Sequence, residues 1–146
     1  MNALLPEWRE FPANKDFYPS MLEYVLSVAK ETGLSKHQEK RLRLGFEEAT
    51  VNIIDYAYAM PESGRLWIRA YPMDNFLILE LKDHGIPFNP LQATDALKNR
   101  PATLKETKIG GLGISFMRRM FDTATYDYEE ENGIGQNHMI LGMKIK

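Results

Sequence analysis

A chain of 146 residues, 44% hydrophobic and 26% charged, has the length and composition of one globular domain, in which a single core withdraws about 70% of the unfolded surface from water. A net charge of −2, with 18 Lys and Arg spread along the chain, leaves no electrostatic footprint for nucleic acid or a membrane surface. The absence of cysteine excludes a disulfide framework and any thiolate metal site. No apolar stretch is long enough for a membrane span, and Met1 to Glu10 lacks a signal-peptide pattern, so the expected address is the cytoplasm.

Taken in chain order, Trp8 to Phe11 predicts a short first strand. Pro19 and Ser20 open a helical pattern in which Leu22, Leu26 and Ala29 share a face, and Gly33 stands where a left-handed C-terminal residue is expected. Ser35-Lys36-His37-Gln38 fits a capping box, with Ser35 as N-cap and Gln38 reaching back to it. The helix it starts is predicted to run to about Ala59 and to stop before Pro61. Its apolar stripe is Leu42, Phe46, Ala49, Ile53 and Tyr56, at intervals of three and four.

Two strands follow. Leu66, Ile68 and Ala70 alternate with Arg65, Trp67, Arg69 and Tyr71, and Pro72 to Asn75 is read as the turn. Phe76 to Lys82 puts Leu77, Leu79 and Leu81 on one face. The segment from Asn89 to Ile109, broken by Pro90 and Pro101, is a loop long enough to be functional in its own right. Leu112 to Met120 returns to helix. Thr123 to Glu131 and Met139 to Ile145 then pair as a hairpin, with Asn132-Gly133 at the turn between them. The order predicts one α+β domain: a two-layer sandwich with helices on one face of a mixed, mainly antiparallel sheet.

Three fragments carry chemistry. Glu48 and Asn52 are spaced (i, i+4), so both project from one flank of the long helix toward one small volume. An amide oxygen is a hard ligand suited to Mg²⁺, and a neighbouring carboxylate can order a metal water or accept a hydroxyl proton. An isolated pair of this kind is usually two surface residues, and only the company it keeps raises it. Asp83 ends an apolar strand and is followed by His84-Gly85. A buried carboxylate there can accept from the exocyclic amine of adenine, with Gly85 permitting close approach of the ring. Gly110-Gly111-Leu112-Gly113 delivers a helix N-terminus, whose free N–H groups and dipole suit an anion. Lys98, Arg100, Lys105 and Lys108 precede it, and one of them, with Lys108 the candidate, is expected to meet phosphate. Together the fragments describe an ATP site. His37, His84 and His138 have no metal-ligand spacing, and Trp8, Trp67, Tyr56 and Tyr58 are expected to pack rather than to stack on a ligand.

In this order the motifs resemble those of the GHKL ATPase superfamily. Glu48 to Tyr58 resembles its N-box, Asp83 to Pro90 its first glycine box, and Gly110 to Met117 its second. In detail the chain is most similar to the bacterial anti-sigma factor serine/threonine kinases, over about Phe11 to Lys144. The resemblance implies a histidine kinase-like (Bergerat) ATPase fold that uses ATP and Mg²⁺ to phosphorylate a STAS-domain anti-sigma factor antagonist. It also implies a sigma factor as a further partner and allows a homodimer. Carried over by position, Glu48 would be the general base, Asn52 the Mg²⁺ ligand and Asp83 the adenine acceptor. Gly85, Gly111 and Gly113 would make room for the nucleotide, and Asn89 to Ile109 would be a lid over it. The chain departs from the pattern at Tyr56, a common histidine position, and at Pro87, in place of a glycine. It departs again at Gly135 to His138, where a Gly-Thr pair is frequent and contributes a water-mediated adenine contact.

Overall fold

The computed structural model describes residues 5–58, 64–87 and 119–145. Strand β1 (Arg9–Pro12) is followed by a single 3-10 turn, Lys15–Phe17, whose N-cap Asn14 accepts from the Asp16 N–H. Helix α1 (Tyr18–Thr32) starts with Pro19 in its first turn and ends on Gly33 at φ 79°, where a side chain would be strained. It buries Met21, Val25 and Ala29, while Leu22 and Leu26 lie on the flank, so the true inward stripe is one residue out of phase with the expected one.

Helix α2 (Lys36–Tyr56) starts on the expected capping box. The Gln38 N–H donates to Ser35 Oγ at 3.1 Å, and the Ser35 N–H donates to Gln38 Oε1 at 3.0 Å. The helix stops three residues short of Ala59. Its last carbonyl partner is tertiary: Ala57 O accepts from the Ile86 N–H at 2.9 Å. Leu42, Phe46, Ala49 and Ile53 are buried as expected, but Ala57 completes the stripe and Tyr56 is exposed.

Strands β2 (Arg65–Met73), β3 (Phe76–Asp83), β4 (Thr123–Glu131) and β5 (Ile134–Lys144) join β1 in a five-stranded sheet of order β1-β2-β3-β5-β4. Every ladder among the described residues is antiparallel, so the parallel component of the expected mixed sheet is not found there. Both hairpins turn on two residues with positive φ, Asp74-Asn75 and Asn132-Gly133. The first therefore has a tighter turn than expected, and Pro72 lies inside β2. It is tolerated because β1 pairs only as far along β2 as Ile68, leaving Pro72 on an open edge. Strand β5 begins at Ile134 rather than Met139, which draws Gly135 to His138 into the sheet.

The core lies between α1 and α2 and one face of the sheet, built from Met21, Leu42, Phe46, Leu66, Ile68, Leu77, Leu79, Leu81, Leu141 and Met143. No helix among the described residues is long and apolar enough to cross a membrane. The expected lid, Asn89 to Ile109, lies outside the described residues, as does the expected helix from Leu112, of which Arg119 and Met120 are helical.

Candidate nucleotide site

The α+β sandwich brings the long helix and the exit of β3 to opposite sides of one narrow cleft. Ala49, Asn52, Ile53 and Ala57 of α2 line one wall, and Leu81, Asp83, Asn137, Met139 and Tyr126 of the sheet line the other. Two of the sequence-derived residues, Asn52 and Asp83, therefore meet across it. Its lining is that of a ligand slot: apolar walls with a few convergent polar groups.

Asn52 is 6% exposed, and its Nδ2 has no hydrogen-bond partner among the described residues. Leaving a buried amide donor unmade costs about 1–3 kcal/mol, so the group is held in place against its own solvation. Such an amide suits a bound ligand: its N–H can donate to a phosphate oxygen, or its oxygen can turn to a hard cation such as Mg²⁺. Glu48 lies one turn earlier on α2, half-buried, and is not among the residues lining the cleft. Burial first, and then the negative charge of Glu47, push its carboxyl above the ordinary value.

Asp83 is 3% exposed at the end of β3. Its Oδ1 accepts from the Gly85 N–H at 2.8 Å and from Asn137 Nδ2 at 2.9 Å. Among the described residues Oδ2 takes no donor. Burial raises the carboxyl, against the lowering effect of these two donors and of His84. Gly85 is required by the protein itself. A Cβ there would fall 2.1 Å from the Ala57 carbonyl oxygen, so the close approach at this position is between two backbones, the β3 exit and the end of α2.

Asn137 was not singled out from sequence as a site residue. It stands opposite Asp83 in the β3–β5 register, in phase with the buried Met139, Leu141 and Met143. Running that alternation back two residues would have placed an inward polar side chain beside the acidic one. Tyr126 joins it from β4, its hydroxyl donating to Asn137 Oδ1. Lys108, Gly110, Gly111, Leu112 and Gly113, the expected phosphate cradle, lie outside the described residues.

The profile of the histidine kinase-like ATPase domain matches residues 11–140, nearly the whole chain. This protein belongs to that family. The match spans both walls of the cleft and gives the domain its coarse role, binding ATP in a regulatory protein. Among curated proteins none matches the chain. The amide of Asn52 and the carboxylate of Asp83 stand on opposite walls of this cleft, within the matched residues. Among the described residues, no cluster of His, Asp and Glu forms a separate metal centre.

Proposed function

We propose that this ATPase domain is a serine/threonine-protein kinase of the anti-sigma-factor type, phosphorylating a STAS-domain antagonist in a partner-switching pathway. The observation that carries the reading is the buried, unpartnered amide of Asn52 facing the buried carboxylate of Asp83 across one cleft. Asp83 Oδ2 accepts the exocyclic amine of adenine and so orients the base. Asn52, on the opposite wall, would hold magnesium, which when bound would supply charge neutralisation for the phosphate oxygens. Lys108 and Gly110 to Gly113, outside the described residues, keep the phosphate-binding role that the motif resemblance implies.

Glu48 is the general base. Its carboxyl, raised by burial and by Glu47, is a stronger proton acceptor than an ordinary surface glutamate. The partner's hydroxyl oxygen forms a bond to the γ-phosphorus as the bond from that phosphorus to the β–γ bridging oxygen breaks. The hydroxyl proton passes to Glu48, and ADP leaves. General-base help of this kind contributes about 10²–10⁴ in rate.

Incubation with labelled ATP, Mg²⁺ and a STAS-domain protein from the same genome is expected to label a serine or threonine of that protein. Glu48→Gln is expected to abolish labelling while calorimetry still records ATP binding. Equal labelling by the variant removes Glu48 from the mechanism. Tight ATP binding with no transfer to any STAS protein would mark the chain as an ATP-gated binding module instead.

A further inference from the structure

Strand β5 carries Asn137 into the cleft with 4% exposure and every end of its carboxamide engaged. Nδ2 donates to Asp83 Oδ1 at 2.9 Å and to the Ile86 carbonyl at 2.8 Å, and Oδ1 accepts from the Tyr126 hydroxyl. The orientation of this amide is settled by its surroundings. A flipped carboxamide would set its oxygen against a carboxylate and a carbonyl, two groups with nothing to donate. Asp83 Oδ1 thus receives two donors at once, Asn137 Nδ2 and the Gly85 N–H, and both favour the ionised carboxylate over the protonated one. The oxygen presented to the cleft is Oδ2.

We propose that Asn137, braced by the Tyr126 hydroxyl, is the positioning residue of the base subsite: it holds Asp83 as an acceptor-only group, so that the cleft takes a 6-amino purine and rejects a 6-oxo purine. The inference rests on the ATP-site reading given above. A 6-amino group donates to Oδ2. A 6-oxo group brings oxygen against oxygen in a buried slot, where neither can turn to water. Sites built around such a polar contact reject the wrong partner far more strongly than apolar pockets reject an extra methylene. Around Asp83 the other titratable side chains are His84, next along the chain, and Tyr58 from the end of α2, whose hydroxyl accepts from the His84 N–H and donates to the Arg65 carbonyl. Asn137 is therefore the one side chain among the described residues that hydrogen-bonds the carboxylate directly.

The test compares ATP with inosine triphosphate, which differs at this edge of the base in carrying the 6-oxo group. Displacement of a fluorescent ATP analogue is measured on wild type, Asn137→Leu, Asn137→Thr and Tyr126→Phe. Carboxyl ¹³C titration of Asp83 is followed in the nucleotide-free proteins. Wild type is expected to prefer ATP by about a hundredfold or more. Asn137→Leu is expected to lower that preference by about tenfold, chiefly by weakening ATP, and to move the Asp83 titration to higher pH. Asn137→Thr keeps one donor and is expected to fall between, and Tyr126→Phe to shift both readouts less, in the same direction. If Asn137→Leu does not fold, these two variants carry the comparison. Folded variants that weaken both nucleotides equally and leave the Asp83 titration in place would overturn the inference and leave the ATP site standing. A wild type that binds neither nucleotide overturns the ATP reading, and base selection with it.

Discussion

Burial pushes the Asp83 carboxyl up from its ordinary value, and the Asn137 and Gly85 donors and His84 only partly offset it. A raised carboxyl contributes stability that is full below its unfolded value of 3.8 and lost as pH rises through its folded value, so ionised Asp83 weakens the fold at neutral pH. Asp83→Asn keeps an oxygen for both donors and removes the buried charge. Its melting temperature is expected to equal or exceed that of wild type, while ATP affinity falls by about 1.5–3 kcal/mol, the worth of a hydrogen bond to a charged group. A drop in melting temperature with unchanged affinity would make Asp83 a structural residue. Asn52 makes the same point from the other wall. Asn52→Leu replaces an unmade buried donor with apolar surface and is expected to raise the melting temperature while abolishing Mg²⁺-dependent ATP binding. A destabilised Asn52→Leu that still binds MgATP would reverse that assignment. Among the described residues both side chains carry a burial cost that their partners do not fully offset, as the proposed binding role requires.

Two glycines show how the elements are fitted together. At Gly45, in the middle of α2, an added Cβ would lie 2.5 Å from Phe121 Cε2 and 2.9 Å from Met120 Cβ, where the segment before β4 packs on the helix. Arg41 Nη2 ties the same segment down by donating to the Met120 carbonyl at 2.9 Å. Gly45→Ala gains about 1 kcal/mol of helix propensity and meets an overpacking penalty of about 1–3 kcal/mol, so the net effect is expected to be destabilising. A higher midpoint in urea denaturation would show that the segment yields. At Gly85 the obstacle is the Ala57 carbonyl itself, which is backbone and paired to the Ile86 N–H, so it has no rotamer in which to move aside. Gly85→Ala is expected to cost more than Gly45→Ala in the same urea series and, unlike it, to weaken ATP binding, because the end of α2 and the exit of β3 are the two lips of the cleft. Equal costs with ATP binding intact would mean that the cleft does not depend on that contact.

The face of the sheet turned away from the helices holds a charged cluster that ties the strands together. Glu80 is 3% exposed, and Arg69 donates to it from Nε at 2.9 Å and Nη2 at 3.2 Å. His138 Nε2 lies 2.6 Å from its Oε1, and the Tyr71 hydroxyl also donates to it. Trp8, just before β1, covers the Arg69 guanidinium at 4.2 Å and meets His138 edge-on. Burial alone would raise the Glu80 carboxyl, but His138, Arg69 and Tyr71 outweigh it and hold it at about 2. His138 is raised, chiefly by Glu80 and then by Glu129, against burial. The signs differ. Glu80's contribution is present above its unfolded value near 4.5 and is lost as pH falls from there toward 2, on the order of 3 kcal/mol in all. His138's is full below 6.5 and lost as pH rises through its higher folded value. Calorimetric melting from pH 3 to 9 is therefore expected to show an alkaline decline that His138→Gln removes. It is also expected to show an acid decline that Glu80→Gln flattens, at a general cost from leaving Arg69 unpaired. Identical profile shapes in the variants would mean that the cluster does not couple to folding.

How much was legible in advance depended on the range of the interaction responsible. The capping box at Ser35, the left-handed Gly33, the Asn132-Gly133 turn and the alternation of Leu77, Leu79 and Leu81 are local: each is settled by a residue's own backbone preference or by its neighbours within a turn, so each could be read directly. A helix places Glu48 and Asn52 one turn apart for the same reason, but of the two only Asn52 lines the cleft. Strand register and partner choice are not local. Asn137 looked like loop until β5 was paired with β3, and only that pairing set it across from Asp83. The same holds for the end of α2, where Ala57 O pairs with the Ile86 N–H, and for Tyr56, which keeps the helical period yet is exposed while Ala57 takes the buried place. Sequence by itself determined the elements, the family and two of the cleft's polar groups. Tertiary structure alone decided which side chains face one another across the cleft, since a contact between distant residues has no energy until the chain has folded to make it.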